Sequence, residues 1–162
     1  MIKERILEIK RVLPAGVRLL AVSKFHPVEH LQEAYEAGQR IFGESRVQEL
    51  QQKYEELPKD IEWHFIGHLQ TNKVKYIAPF VSLIHSLDSL ELLKEIDKQA
   101  KKCGRVVEAL LEIHVAQEET KYGFSFDSAR ELLESGLLND YPNVSVVGIM
   151  GMASFTDDLQ QV

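Results

Sequence analysis

The sequence predicts an α/β fold, a TIM-type (β/α) barrel that is incomplete and contains about six βα units. Short apolar segments of strand character alternate with amphipathic segments along the whole chain, and strict alternation is typical of a parallel sheet covered by helices. No glycine-rich nucleotide fingerprint follows the first strand, which favours a barrel over an open nucleotide-binding sheet. The predicted strands are residues 17–23, 40–42, 62–66, 81–85, 106–115 and 144–150.

The first part of the chain contains clear start and stop signals for its helices. An opening helix has apolar residues at helical spacing, at Ile2, Ile6, Ile9 and Leu13, and residues 14–16 (Pro-Ala-Gly) end it. The helix after the first strand begins at Pro27 and ends at Gly38. A third helix follows the second strand and ends before Pro58. Its apolar stripe is formed by Val47, Leu50, Tyr54 and Leu57.

The same cycle continues in the second part of the chain. A short helix after the third strand ends at Pro79. The helix after the fourth strand begins at a predicted capping box, with Asp88 as the cap and Glu91 three residues later. Residues 127–135 are predicted to be helical, and residues 156–158 resemble the start of one more helix. The polar segment 117–123 is interpreted as a solvated turn.

The length of the chain indicates an incomplete barrel. A complete barrel of eight units has ~250 residues, so 162 residues with six units lack about two of them. We therefore interpret residues 1–162 as a single incomplete barrel domain. An open barrel has two exposed strand edges, and we expect self-association through them.

Composition excludes several classes of protein. The formal net charge is −6, from 19 basic and 25 acidic residues, so the electrostatic attraction that drives binding to nucleic acid or anionic membranes is missing. The single cysteine allows no internal disulfide. The N-terminal segment does not resemble a signal peptide, and no segment has the ~20 apolar residues of a membrane-spanning helix. We expect a cytoplasmic protein.

Lys24 is the strongest candidate for chemistry, because functional residues of parallel α/β folds gather at the carboxyl ends of strands. Strand alternation puts Lys24 on the same face as Leu20 and Val22. If that face lines the barrel, desolvation favours the neutral amine, which attacks aldehydes. The alternative is a lysine that marks the exit of the strand into solvent, and spacing alone does not decide between them.

Several motifs resemble the pyridoxal phosphate homeostasis protein family, whose barrel is similar to the N-terminal domain of alanine racemase. They are segments 19–24, 42–49, 63–73, 84–88 and 147–150, which occur in the family's order along the chain. The resemblance implies that Lys24 carries pyridoxal 5′-phosphate (PLP) as a Schiff base, with Ser45, His64 and Met150 around the ring. It also implies a role in PLP homeostasis without efficient catalysis, in which PLP-dependent apo-enzymes are possible recipients.

Two departures from the family pattern qualify this expectation. Position 45 is serine where the family usually has asparagine, and a hydroxyl cannot replace both hydrogen-bonding groups of an amide. The family's phosphate-binding segments follow strands seven and eight, which this sequence does not contain. We therefore expect a truncated form that binds PLP weakly and in a salt-sensitive way.

Two other functions are compatible with parts of the pattern. His64, His85 and His114 lie at or near strand ends and suggest a metal-dependent hydrolase, but the first strand offers no histidine or aspartate pair as further ligands. A PLP-dependent amino-acid racemase is the second alternative. Such enzymes use an additional β-rich domain, for which this chain has no room.

Overall fold

The structure is a computed structural model, and it describes residues 1–115 and 122–160. Six strands form one parallel sheet in the order β1-β2-β3-β4-β5-β6. The elements are α1 (Ile2–Val12), β1 (Ala21–Val22), α2 (Val28–Glu36), β2 (Ile41–Glu44), α3 (Val47–Glu56), β3 (Glu62–Phe65), α4 (Val74–Ile77), β4 (Leu83–Leu87), α5 (Leu90–Lys102), β5 (Val107–Ile113), α6 (Phe126–Glu134) and β6 (Val144–Gly151). Short 3₁₀ turns at Thr71–Lys73 and Leu137–Asp140 precede α4 and β6.

The core lies between the sheet and the helices. Strand residues that point toward the helices, such as Phe42, Trp63 and Ile84, are almost completely buried. Leu50 of α3 and Ile96 of α5 cover them, because the apolar stripe of each amphipathic helix faces the sheet. The strand residues that alternate with these buried ones lie on the opposite face of the sheet. This inner face includes Val22, Gly43 and His64.

The register of the first three strands places one inner-face residue of β1, β2 and β3 side by side. Val22 of β1 is paired with Gly43 of β2, and Gly43 is paired with His64 of β3. An added Cβ at Gly43 would lie only 2.6 Å from the Leu20 side chain, so this face is closely packed near β2. Because all the strands are parallel, their carboxyl ends lie at one edge of the sheet, as the sequence predicts.

The predicted strand 81–85 is shifted by two residues, to Leu83–Leu87, and three further predicted elements differ from the structure. The first strand is much shorter than residues 17–23, since β1 pairs only with β2 and only over two residues. Ser89, rather than Asp88, caps α5, because the Ser89 hydroxyl accepts a hydrogen bond from the Leu92 amide at 3.1 Å. No helix begins at residues 156–158 in the part described up to residue 160.

The predicted turn 117–123 lies largely outside the described residues. Residues 122 and 123 are described, and the backbone of Phe124 then returns to β5. Phe124 donates to the Glu112 carbonyl at 2.7 Å and accepts from the His114 amide at 2.8 Å. Among residues 1–115 and 122–160, no helix combines the length and the apolar character needed to cross a membrane.

Candidate functional site at the carboxyl end of the sheet

Lys24 lies two residues after the end of β1, at the carboxyl edge of the sheet. Its side chain is exposed, and within the described residues its amine forms no hydrogen bond or ion pair. The nearest aromatic group is the Phe25 ring, whose centroid is 6.0 Å from Nζ. Of the two interpretations that the spacing left open, the structure agrees with a lysine at the exit of the strand into solvent rather than with an amine buried among apolar neighbours. Val22, on the same face, is itself 52 % exposed, because the inner face is open beside the edge strand β1.

Hydrogen bonds hold the backbone on both sides of Lys24. The Ser23 amide donates to the Gly43 carbonyl at 2.9 Å, and the Ser23 hydroxyl donates to Glu44 Oε1 at 2.7 Å. On the other side, the Phe25 amide donates to Glu49 Oε1 at 2.6 Å. Lys24 therefore lies in a turn in which the preceding residue is hydrogen-bonded to β2 and the following residue is hydrogen-bonded to α3.

An ion pair between Glu44 and Lys53 lies at the centre of these contacts. The ammonium of Lys53 is 2.6 Å from Glu44 Oε1 and 2.8 Å from Glu49 Oε1, and it donates to the Ser23 carbonyl at 2.8 Å. Glu44 is fully buried, and burial raises the pKa of its carboxyl despite the hydrogen bonds from Lys53 and Ser23. Burial also acts to raise the pKa of Glu49, but the Lys53 and Phe25 hydrogen bonds outweigh it, so that pKa is lowered.

This buried cluster was missed by the sequence analysis, which treated residues 42–49 only as a family motif. A signal was present, because Lys53 lies three residues after Leu50 and therefore on the apolar stripe of α3. A charged residue in such a stripe is buried only when it is paired.

His64 and His85 are in direct contact on the inner face. His64 Nδ1 is 2.9 Å from His85 Nε2, so one ring nitrogen donates and the other accepts. Burial, followed by the proximity of His85, lowers the pKa of His64 to about 4. Burial likewise lowers the pKa of His85. Both rings are therefore neutral near pH 7 and act as hydrogen-bonding groups rather than as charges.

Ser45 lies just beyond β2 and is partly buried. It borders a cleft of about 270 Å³ whose lining includes Arg46, His68 and Lys73. Gly67 approaches it closely, because a Cβ at Gly67 would lie 2.5 Å from the Ser45 carbonyl oxygen. The loop after β3 can therefore pack against Ser45 only with glycine at this position.

Met150 is farther along the sheet from Lys24 than the other candidates. It lies on β6, where it is paired with Glu112 of β5, and it is partly buried. Because β1 and β6 are the two edge strands, Lys24 and Met150 belong to opposite edges of the described sheet. Lys24 and Ser45 thus follow the neighbouring strands β1 and β2 and His64 lies on β3, whereas Met150 lies on β6 at the opposite edge.

His68 is a further polar group near this edge. Its Nδ1 is 3.2 Å from Asp88 Oδ2, and its ring stacks on Tyr122 with a centroid distance of 3.9 Å. Asp88 therefore contacts the loop after β3 instead of capping α5. Among the residues that the structure describes, no three His, Cys, Asp or Glu side chains are grouped closely enough to hold a metal ion.

Comparison with known proteins places this architecture in a family. The model of the alanine racemase N-terminal domain matches residues 1–162. PipY of Synechococcus elongatus is 37% identical, and its structure without PLP has a TM-score of 0.88 over 96% of this chain and 73% of that chain. The chain belongs to the alanine racemase N-terminal domain family. The predicted incomplete (β/α) barrel is thereby confirmed.

Relatives within this family confirm the resemblance to the pyridoxal phosphate homeostasis proteins. The protein of that name from Aquifex aeolicus is 46% identical over 146 residues, which are 90% of this chain and 63% of the relative. The PLP-bound structure of PipY has a TM-score of 0.83 and covers 96% of this chain. An alanine racemase from Clostridium difficile has a TM-score of 0.72 at 18% identity and shows the shared fold alone. The chain spans about 63% of the length of the first of these curated relatives.

Proposed function

We propose that this chain binds PLP through Lys24 and takes part in PLP homeostasis in the cytoplasm. The observation that carries the proposal is the position of Lys24, whose amine has no partner among the described residues and lies at the carboxyl edge of the sheet. PipY, which has the same fold at 37% identity, has a structure with PLP bound. PLP supplies an aldehyde carbon with which a primary amine condenses, releasing water.

The residues present suit such a ligand. A primary amine without a hydrogen bond or ion pair is the group that an aldehyde requires, and the contacts of Ser23 with Glu44 and of Phe25 with Glu49 limit where it can point. His64 with its partner His85 offers neutral hydrogen-bonding groups on the inner face. We propose that Ser45, His64 and Met150 line the cofactor and that Lys24 holds it without efficient turnover. Transfer to PLP-dependent apo-enzymes is part of this proposal.

The test is covalent trapping on the whole chain. Incubation with PLP, reduction with sodium borohydride and peptide mapping by mass spectrometry should place the label mainly on Lys24. The Lys24→Ala variant should lose that label. Lys94→Ala, which removes an exposed lysine of α5, should keep it. Equal labelling of many lysines in the wild type, or an unchanged total label in Lys24→Ala, would refute the proposal.

A further inference from the structure

The backbone of the turn that carries Lys24 has an unusual conformation at the next residue. Phe25 has φ of +65°, and in the described chain it is the one non-glycine residue with positive φ. Side chains with a Cβ seldom adopt this region, so other contacts must hold it. The Phe25 ring is 67 % exposed, and its main neighbour is the guanidinium of Arg46, 4.9 Å from the ring centroid. Packing of the ring therefore does not account for the conformation.

The hydrogen bond from the Phe25 amide to Glu49 explains the positive φ of Phe25 better than packing of its ring does. Its acceptor is a carboxylate 2.6 Å away, and hydrogen bonds to charged acceptors are stronger than neutral ones. Glu49 is itself fixed in place, since the same oxygen is 2.8 Å from the ammonium of Lys53. Lys53 is 4 % exposed and also contacts Glu44, so its position is set by the packing of α3 on β2.

Lys53 also reaches the other side of the turn. It donates to the Ser23 carbonyl at 2.8 Å, and Glu44 accepts from the Ser23 hydroxyl. One buried cation therefore connects contacts to the residue before Lys24 and to the residue after it. Glu44 and Lys53 are buried, so neither is free to touch a ligand on the inner face.

We infer that Glu49 and Lys53 are positioning residues for Lys24. Through Ser23 and Phe25 they hold the turn in the conformation that determines where the Lys24 amine points. This inference rests on the proposed role of Lys24, but it makes a structural claim of its own, that the carboxylate of Glu49 maintains the turn at Phe25. The two claims can be measured separately.

The experiment compares four variants of the full chain. Glu49→Ala removes the acceptor, Glu49→Asp keeps the charge but shortens the reach, and Glu49→Gln keeps both the length and a carbonyl oxygen. Glu55→Ala, on the exposed side of the same helix, is the matched control. Amide hydrogen exchange at Phe25, measured by NMR, reports on the turn. The rate of borohydride-trapped PLP labelling of Lys24 reports on the amine.

Glu49→Ala and Glu49→Asp should each increase Phe25 amide exchange by about tenfold or more, the effect of losing a hydrogen bond to a charged group. Both should slow the labelling of Lys24 by about tenfold, because the amine is no longer held in one direction. Glu49→Gln should give rates between those of the wild type and Glu49→Ala, because its neutral carbonyl oxygen still reaches the Phe25 amide but accepts a weaker hydrogen bond. Glu55→Ala should change neither rate. If Glu49→Ala does not fold, Glu49→Asp provides the same comparison with the charge retained.

Two results would overturn the inference. In the first, Phe25 exchanges at the wild-type rate in Glu49→Ala and Glu49→Asp. In the second, exchange accelerates while Lys24 is labelled as fast as before. If wild-type Lys24 is not labelled at all, the proposed function fails, and exchange at Phe25 alone decides whether Glu49 holds the turn.

Discussion

The pair formed by His64 and His85 illustrates how a neighbour changes the chemistry of a single residue. The nitrogen atoms are 2.9 Å apart, so the pair needs one donor and one acceptor. Protonation of the accepting ring would place two donors opposite each other, and burial adds the cost of desolvating a charge on either ring. Both effects act in the same direction, toward neutral rings in the folded chain.

The lowered pKa of His64 predicts loss of stability in acid. Unfolded histidines take up protons near pH 6.5, whereas folded His64 does so only near pH 4. Its contribution is therefore complete above pH 6.5 and is lost as the pH falls toward 4. The free energy of unfolding should decrease by about 3 kcal/mol over this range because of His64. The measurement is urea unfolding as a function of pH for the wild type and His64→Gln.

The control for this prediction is His30→Gln, which removes an exposed histidine of α2. We expect its pH profile to follow that of the wild type, while the profile of His64→Gln is flatter between pH 6.5 and 4. Identical profiles for the wild type and His64→Gln would show that the pair does not resist protonation.

At the scale of elements, the start of α5 shows how neighbouring residues compete for one role. Ser89 has an extended backbone and accepts from the Leu92 amide, which satisfies one of the free amides of the first turn. Asp88, one residue earlier, binds His68 of the loop after β3. The two adjacent side chains therefore serve different elements: Ser89 caps the start of α5, and Asp88 contacts the loop after β3.

This division of roles predicts the effect of removing the cap. Ser89→Ala should lower the free energy of unfolding by about 1 kcal/mol, the usual cost of losing an N-cap. Ser89→Asp should retain most of the stability, because its carboxylate can accept the same amide hydrogen bond. Urea unfolding with an unchanged slope against denaturant is the measurement. Equal losses in both variants would contradict a capping role.

At the scale of the whole molecule, the described sheet has two free edges. No strand pairs with the outer side of β1 or of β6 in residues 1–115 and 122–160. Large apolar side chains near these edges are exposed, namely Val17, Val22, Val147 and Ile149. Free edges with exposed apolar side chains favour association between chains.

We predict that the chain self-associates through these edges. Analytical ultracentrifugation over a wide concentration range should show concentration-dependent sedimentation. Ile149→Lys should weaken association by about tenfold or more, because it replaces an exposed apolar side chain with a charge at the edge. Val12→Lys changes an even more exposed apolar residue, which lies on α1 and not on an edge strand, and should have little effect. A monomer at every concentration would contradict the prediction.

The order of the elements could be predicted because the signals are local. The apolar stripe at Ile2, Ile6 and Ile9 and the stop signals at residues 14–16 all lie within the single segment 2–16. The predicted fold is confirmed, although β1 is only two residues long. The family resemblance is confirmed as well. The site residues Lys24, Ser45, His64 and Met150 stay predictions.

The sequence by itself determined the alternation of strands and helices, the family, and the placement of Lys24 at a strand end. Only the tertiary structure decided that Lys24 is exposed, that His64 contacts His85, and that Lys53 is buried against Glu44. The reason is physical. Spacing along the chain fixes which face a side chain occupies, whereas exposure and pairing depend on residues that are distant in sequence and meet only when the sheet is packed against its helices.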